Sequence, residues 1–214
     1  MKIQYLGHAS FILRTKDATL ITDPFDPEMT GLKFPKLEAD IITVSHDHKD
    51  HNQVQLVGGK PKVFDFPGEY ESKGIRFYGF QTYHDESQGG ERGENVIFKI
   101  LMDGLVLVHC GDLGHMPSNE VLAQIEDADI LFVPVGGTFT LDAKKAKEFV
   151  DKISPSIIVP MHYKTDKLNA ANFGMLQEVS EFLKLSGIEQ VETKKIFEVK
   201  TDTLPEKEIV VFES

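Results

Sequence analysis

Most of the chain's eight histidines stand at the end of a short apolar run, or in the loop directly after one. His8 follows "KIQYLG", His46 follows "DIITVS", His84 follows "IRFYGFQTY", His109 closes "GLVLVH" and His162 follows "SIIVPM". Runs of this kind, rich in β-branched and aromatic residues and bounded by Gly, Pro or Asp, read as strands. Further examples are "SFILRT", "TLITDPF", "KVFDFPG", "NVIFKIL" and "DILFVPVGG". Histidines scattered over a surface would not track strand ends. A fold that aligns these ends along one edge would gather most of the imidazoles there as well.

The runs also carry a weak internal repeat. "SFILRTKDATLITD" reads as a hairpin ending in Asp23, and "VIFKILMDGLVLVHCGD" as a hairpin ending in Asp112. Lys16-Asp17 marks the first turn, and Asp103-Gly104 suits a type I′ turn in the second. Each hairpin is followed by a matching strand, "EADIITVSH" and "DADILFVPV". Two such halves, about 1–94 and 95–214, packed face to face would form a four-layer αββα sandwich. The length of 214 residues suits one domain with its own core. Helices are expected at Ser118–Ile125, at Asp142–Ile153 after a Thr140 cap, and at Asn172–Ser186, which Gly187 stops. Lys49–Val57 is expected to open another short helix.

Composition narrows the function classes. Asp and Glu number 34 against 23 Lys and Arg, a formal net charge of −11. A surface built for phosphate backbones or anionic membranes normally shows the opposite balance, so neither nucleic acid nor membrane is the expected partner. No run approaches the roughly 20 apolar residues that cross a bilayer. The opening "MKIQYLGHASFIL" alternates polar and apolar residues where a targeting segment would be continuously apolar. The single cysteine, Cys110, rules out an intrachain disulfide framework and fits a reducing cytoplasm. A small-molecule substrate is the expected partner, with a homo-oligomer left open.

The densest signal is "VSHDHKDHN", Val44–Asn52. A lone histidine is more often a satisfied core residue than a ligand. Crowded imidazoles differ, because they repel when charged and need partners when neutral, and a divalent cation meets both demands. His46 and His48, two apart on an extended strand end, put both rings on one side. Asp50 and His51 follow after a turn and can address a second ion roughly 3.5–4 Å from the first. Imidazole with carboxylate suits Zn²⁺, with Mn²⁺ or Fe²⁺ as competitors. Elsewhere, "PVGGTFT" around Thr138 sets backbone N–H groups at a strand end before a helix, a place to receive an anionic group, although a plain helix-entry turn is the simpler reading. His115 either lines a pocket or sits in a solvated turn. Glu69, Tyr70 and Lys164 divide between pocket wall and open surface, and Cys110 reads as a small buried core residue.

"SHDHKDH" resembles the signature of the metallo-β-lactamase superfamily, and counterparts of that family's other site residues follow in order. The resemblance implies that Asp23 in "LITDPF" buttresses the histidine loop. It implies that Asp112 in "VLVHCGD" bridges two metals and that His162 in "IIVPMHY" is the last histidine ligand. "YLGHASFIL", "FPGEYE" and "PVGGTFTLDAKKA" resemble the branch that includes ascorbate-6-phosphate lactonase-like proteins and other Zn-dependent hydrolases. The similarity runs from residue 3 to about 165 and implies the αββα sandwich of the metallo-β-lactamase type. Many members place a middle histidine ligand in a Gly-His loop before the bridging aspartate, whereas Gly114-His115 here follows Asp112. Branch members point to His84 instead, with His109 and His115 as the alternatives, and they place His8 near the metals.

The implied site holds one ion on His46, His48 and His84 and another on Asp50, His51 and His162, with Asp112 between them. Asp50 would also orient the nucleophile, a metal-bridged hydroxide available near neutral pH. The expected protein is a binuclear, lactonase-like hydrolase of a small ester, lactone or phosphoester. A metal-dependent nuclease shares the signature, and a non-catalytic metal-binding protein would share the fold. Diiron redox members typically carry Glu where this chain has His48, and they need a flavin domain for which this sequence has no counterpart.

Overall fold

The computed structural model describes residues 1–213. Strands β1 (Lys2–Gly7), β2 (Ser10–Arg14) and β3 (Thr19–Thr22) form an antiparallel meander. Helix α1 (Pro27–Thr30) and β4 (Leu37–Glu38) lead to β5 (Ile41–Thr43), which runs into the histidine-rich loop. A 3₁₀ turn (Val54–Leu56), β6 (Val57–Gly58) and β7 (Lys62–Phe64) follow. Next comes an antiparallel run of β8 (Gly68–Ser72), β9 (Ile75–Tyr83), β10 (Glu94–Met102) and β11 (Leu105–His109). Helices α2 (Asn119–Ile125) and α3 (Ala143–Ile153) alternate with β12 (Ile130–Pro134) and β13 (Ile157–Met161). The chain continues through α4 (Ala170–Phe173), α5 (Val179–Leu185), β14 (Phe197–Glu198) and β15 (Glu208–Ile209).

Two large sheets result, one of six strands in the order β14-β1-β2-β3-β5-β7 and one of seven in the order β15-β13-β12-β11-β10-β9-β8. The pleat of each strand sends successive residues to opposite sides of the first sheet, and here both sides are apolar. Leu13, Leu20 and Ile41 pair across β2, β3 and β5 and join the large core between the sheets. Their neighbours Ile12, Ile21 and Ile42 pair likewise and join a smaller core on the outer side. Phe11 and Phe132, one from each sheet, meet at 4.6 Å between ring centroids. Removing a buried ring of this kind typically costs about 3–5 kcal/mol.

The outer layers differ. On the second sheet, α3 buries Ala143, Ala146, Phe149, Val150 and Ile153 and packs against α2, α5 and β12. On the first, the outer core is closed by Phe34, Leu37, Val54 and Val57, from loops, the 3₁₀ turn and the small β4–β6 sheet. The α/β sandwich therefore has a thick helical cover on one side and a thin one on the other. No helix among the described residues is long and apolar enough to cross a membrane.

Of the local expectations, the hairpin turn is met and several others are not. Asp103 and Gly104 both have positive φ, 56° and 76°, as a type I′ turn requires. The cap of α3 is Asp142, whose side chain accepts from Lys145 N–H at 2.8 Å, rather than Thr140. The segment expected as one helix over 172–186 breaks between α4 and α5. Phe173 and Leu176 turn inward there to pack with Leu168, and Gln177 N–H bonds the Gly136 carbonyl at 2.7 Å. Only the 3₁₀ turn forms within 49–57. The sheets also divide the chain earlier than residue 94, since β8 and β9 join the second sheet, while β14 returns to the first.

Candidate metal centre

The histidine loop is fastened to one buried carboxylate. Asp23, just past β3, accepts Ser45 N–H on Oδ1 at 2.8 Å and the Ser45 hydroxyl on Oδ2 at 2.7 Å. His51 Nδ1 donates to the same Oδ2 at 2.9 Å. Because the Ser45 proton goes to Asp23, its oxygen receives His46 Nδ1–H at 2.9 Å. Both rings are thereby held in the tautomer that leaves the Nε2 lone pair free. The loop's turn is closed by His51 N–H on the His48 carbonyl at 2.9 Å.

The opposite sheet supplies its groups one strand end at a time. Asp112 follows β11, and its N–H is held by Asn95 Oδ1 at 2.9 Å. Asn95 is buried and uses its amide on Thr82 and the Cys110 carbonyl. Gly111, with φ of +54°, must lack a side chain, because a Cβ there would lie 2.4 Å from Asn95 Oδ1 and from Ser45 Cβ. His84 follows β9, and His162 follows β13 in a left-handed conformation with φ of 51°. His8 and Asp23 are also left-handed, at 58° and 39°. Three non-glycine residues in this sparsely populated region at one site are a concentration of backbone strain.

These groups converge. Asp112 Oδ2 lies 3.1 Å from His84 Nε2, 3.1 Å from His162 Nε2, 3.2 Å from His51 Nε2 and 4.0 Å from His46 Nε2. Asp50 Oδ2 lies 3.1 Å from His8 Nε2 and 3.8 Å from His51 Nε2. Among the described residues, ligand atoms fall within 4.8 Å of one another in three groups. They are His46, His48 and His84; His8, Asp50, His51 and His162; and His46, His51 and Asp112.

Burial opposes ionisation of Asp112, but His162 and His51 beside it outweigh that and hold its carboxyl well below the usual range. Burial likewise opposes ionisation of Asp50, and His51 and His8 pull it the other way. Burial, then the nearby His162, pushes His8 down to about 4. His46 Nε2, His51 Nε2 and Asp112 Oδ1 are buried with no hydrogen-bond partner. Orphaned polar atoms packed this closely are costly unless something accepts their lone pairs. Imidazole nitrogens and carboxylate oxygens are the donors that zinc, manganese and iron take. The residues therefore fit divalent metal.

The family described as "Beta-lactamase superfamily domain" matches residues 2–162. The chain belongs to the metallo-β-lactamase superfamily. A UPF0173 metal-dependent hydrolase of Carboxydothermus hydrogenoformans is 30% identical over 209 residues, covering 83% of this chain and 91% of the relative. One from Thermoplasma acidophilum is 31% identical over 196 residues, covering 80% and 87%. Among solved structures, a Thermotoga maritima protein provisionally described as a Zn-dependent hydrolase of this superfamily is 38% identical. It superposes with a TM-score of 0.80 over 99% of this chain and 97% of its own. Igni18, a metallo hydrolase of Ignicoccus hospitalis, shares the fold at 19% identity, with a TM-score of 0.68 over 93% and 99%.

The cluster brings together every residue expected as a ligand, namely His46, His48, Asp50, His51, His84, Asp112 and His162, with His8 and the Asp23 support beside them. His115 is not brought in. Its Nε2 accepts Tyr83 N–H at 3.1 Å and its Nδ1 donates to the Met116 carbonyl at 2.9 Å, so both nitrogens serve the backbone. His109 is a buried strut, bonded through Nε2 to the Ala9 carbonyl at 2.9 Å. Thr138 is exposed and its hydroxyl donates to the Met175 carbonyl at 3.2 Å. The N–H groups of Gly137, Phe139 and Thr140 go to backbone carbonyls, so those three are not free to receive an anion. Asp47, within the histidine loop, accepts from the Asn52 side-chain amide. Tyr70 donates its hydroxyl to the Phe66 and Pro67 carbonyls.

Sequence reasoning missed three supports. Ser45 stood inside the quoted motif as a hydroxyl directly before the first histidine. Asn95 was visible as the one polar residue opening an apolar run. Asp85, next to His84, gave no signal of its own. A cavity of about 480 Å³ opens over the cluster, with His48, Asp50, His84, Asp112 and His162 at its floor. Met29, Lys49, Arg92, Phe139, Asn172 and Phe173 form its walls.

Proposed function

We propose that the protein hydrolyses a small ester, lactone or phosphoester with two divalent ions, zinc ahead of manganese or iron, in a reducing cytoplasm. The coarser part of this statement, a metal-dependent hydrolase, comes with the superfamily and with relatives described in those words. The observation that carries the finer part is the position of Asp112, whose one oxygen approaches His84 from one ligand group and His51 and His162 from the other. His46, His48 and His84 would hold one ion, and Asp50, His51 and His162 the second, with Asp112 between them. When bound, such a pair of ions supplies a water acidic enough to act as nucleophile near neutral pH and polarises the bond under attack.

The chain's own residues do the rest. Asp23 and Ser45 fix the rings of His46 and His51 so that no reorganisation is needed when ligands engage. Asp50, kept ionised, can accept a hydrogen bond from the nucleophile and orient it. The cavity's volume lies within the range for small-molecule sites. The buried free Cys110, pushed well up by burial, is a core residue and not a nucleophile.

The test joins metal analysis of the purified protein with a panel of lactones, phosphodiesters and esters assayed with Zn²⁺ and Mn²⁺. Roughly two ions per chain are expected, with turnover that a chelator abolishes. Asp50→Ala should remove most turnover and leave the fold intact. A protein that neither holds nor takes up divalent metal would overturn the proposal.

A further inference from the structure

The loop between His84 and β10 is built around a carboxylate. Asp85 is buried, and its Oδ1 accepts N–H groups from Ser87 at 2.7 Å and Gly89 at 3.0 Å. Its Oδ2 accepts from Glu91 at 3.1 Å and Arg92 at 2.8 Å. Burial opposes ionisation of Asp85, but these four donors outweigh it and keep the carboxyl below its usual range. His84 N–H closes the loop onto the Gly93 carbonyl at 3.1 Å. One carboxylate thus sets Arg92 at a fixed position relative to the floor histidine His84.

Arg92 is half-buried in the cavity wall, its guanidinium 4.8 Å from the centroid of the Phe139 ring. Among the described residues it forms no ion pair, and its side chain donates no hydrogen bond. In a chain with 34 acidic residues against 23 basic ones, a cation held on an aromatic face and left without a carboxylate has its donors directed to something else. The N–H groups of Gly137, Phe139 and Thr140 cannot serve an anion, because they are engaged by backbone carbonyls. Phe139, against which Arg92 lies, and Phe173 and Met29 give the same cavity an apolar lining.

We propose that Arg92 is a specificity residue that binds an anionic group on the substrate, remote from the bond that is cleaved. The substrate is then a short molecule with a carboxylate or phosphate at one end and the reacting group at the other, joined by an apolar segment lying along Phe139. A planar guanidinium presents paired N–H donors that match either anion. The proposal rests on the same cavity being the hydrolytic site, and it is tested by binding so that the two can fail separately.

The zinc-loaded protein is titrated calorimetrically with butyrate, glutarate and 3-phosphonopropionate, which share a carboxylate and differ in the far end. Wild type is expected to bind one or both doubly anionic probes about tenfold or more tighter than butyrate. Arg92→Ala should abolish that preference, Arg92→Lys should keep part of it, and butyrate binding and metal content should stay unchanged in both. The probe with the larger preference tells a carboxylate tail from a phosphate tail. Absence of preference in wild type, or a preference that survives Arg92→Ala or is lost only in Lys49→Ala, would overturn the inference. Failure of every substrate in the hydrolysis panel, with the preference intact, would instead overturn the hydrolase proposal alone.

Discussion

The two sheets furnish the metal centre in different ways. The first delivers His46, His48, Asp50 and His51 from one loop, and a single carboxylate, Asp23, organises it. The second delivers His84, Asp112 and His162 from three separate strand ends, each seated by its own backbone contacts. A compact loop anchored on one side chain concentrates the consequences of losing that anchor. A dispersed set spreads them, except at the residue that touches the most partners. Asp112 is that residue, since four histidine nitrogens lie within 4.0 Å of its Oδ2.

The largest expected effect is therefore at Asp112. Asp112→Ala should lower turnover and metal content beyond the ~10–100-fold typical of a supporting residue, read by kinetics and metal analysis on folded protein. Gly111→Ala tests the dispersed side through the backbone. The new Cβ would collide with Asn95 and Ser45, with an expected loss of about 2–4 kcal/mol of stability by denaturant titration. Asp23→Asn tests the compact side, because an amide cannot accept at both terminal atoms as the carboxylate does, from Ser45 N–H on Oδ1 and from the Ser45 hydroxyl and His51 on Oδ2. A fall of about 10–100-fold in zinc affinity is expected, and an unchanged affinity would mean that the loop holds itself. The smallest effect belongs to His115→Ala, which should cost about 1 kcal/mol of stability for its backbone bonds and leave metal content unaltered. Lost metal there would return His115 to the ligand set.

The same contrast explains what was legible in the sequence. The histidine loop could be read directly, because its residues are local and strand-end geometry puts them together. The strands were readable because "SFIL", "TLIT" and "DIIT" are short continuous apolar runs, the pattern of strands buried on both faces. His84 and His162 needed family resemblance, since only tertiary pairing brings β9 and β13 to the same edge. The supports were harder still. Ser45 and Asn95 matter through hydrogen bonds whose partners lie 22 and 17 residues away in the chain. The break of the last helix came from burial of Phe173 and Leu176, which overrode a continuous helical pattern. The placing of β8 and β9 on the second sheet escaped a repeat drawn from hairpins alone.

Three hydrogen bonds pass directly from one sheet to the other beside the cluster, from Val96 N–H to the Ser45 carbonyl, from His162 N–H to the His8 carbonyl, and from His109 Nε2 to the Ala9 carbonyl. Closure of the sandwich and alignment of the cluster are thus one mechanical variable. Prising the layers apart at this edge would scatter the donors, and an ion seated among them would rivet the layers together. Heat resistance should accordingly climb with metal concentration, as mass action demands of anything that grips only the closed form.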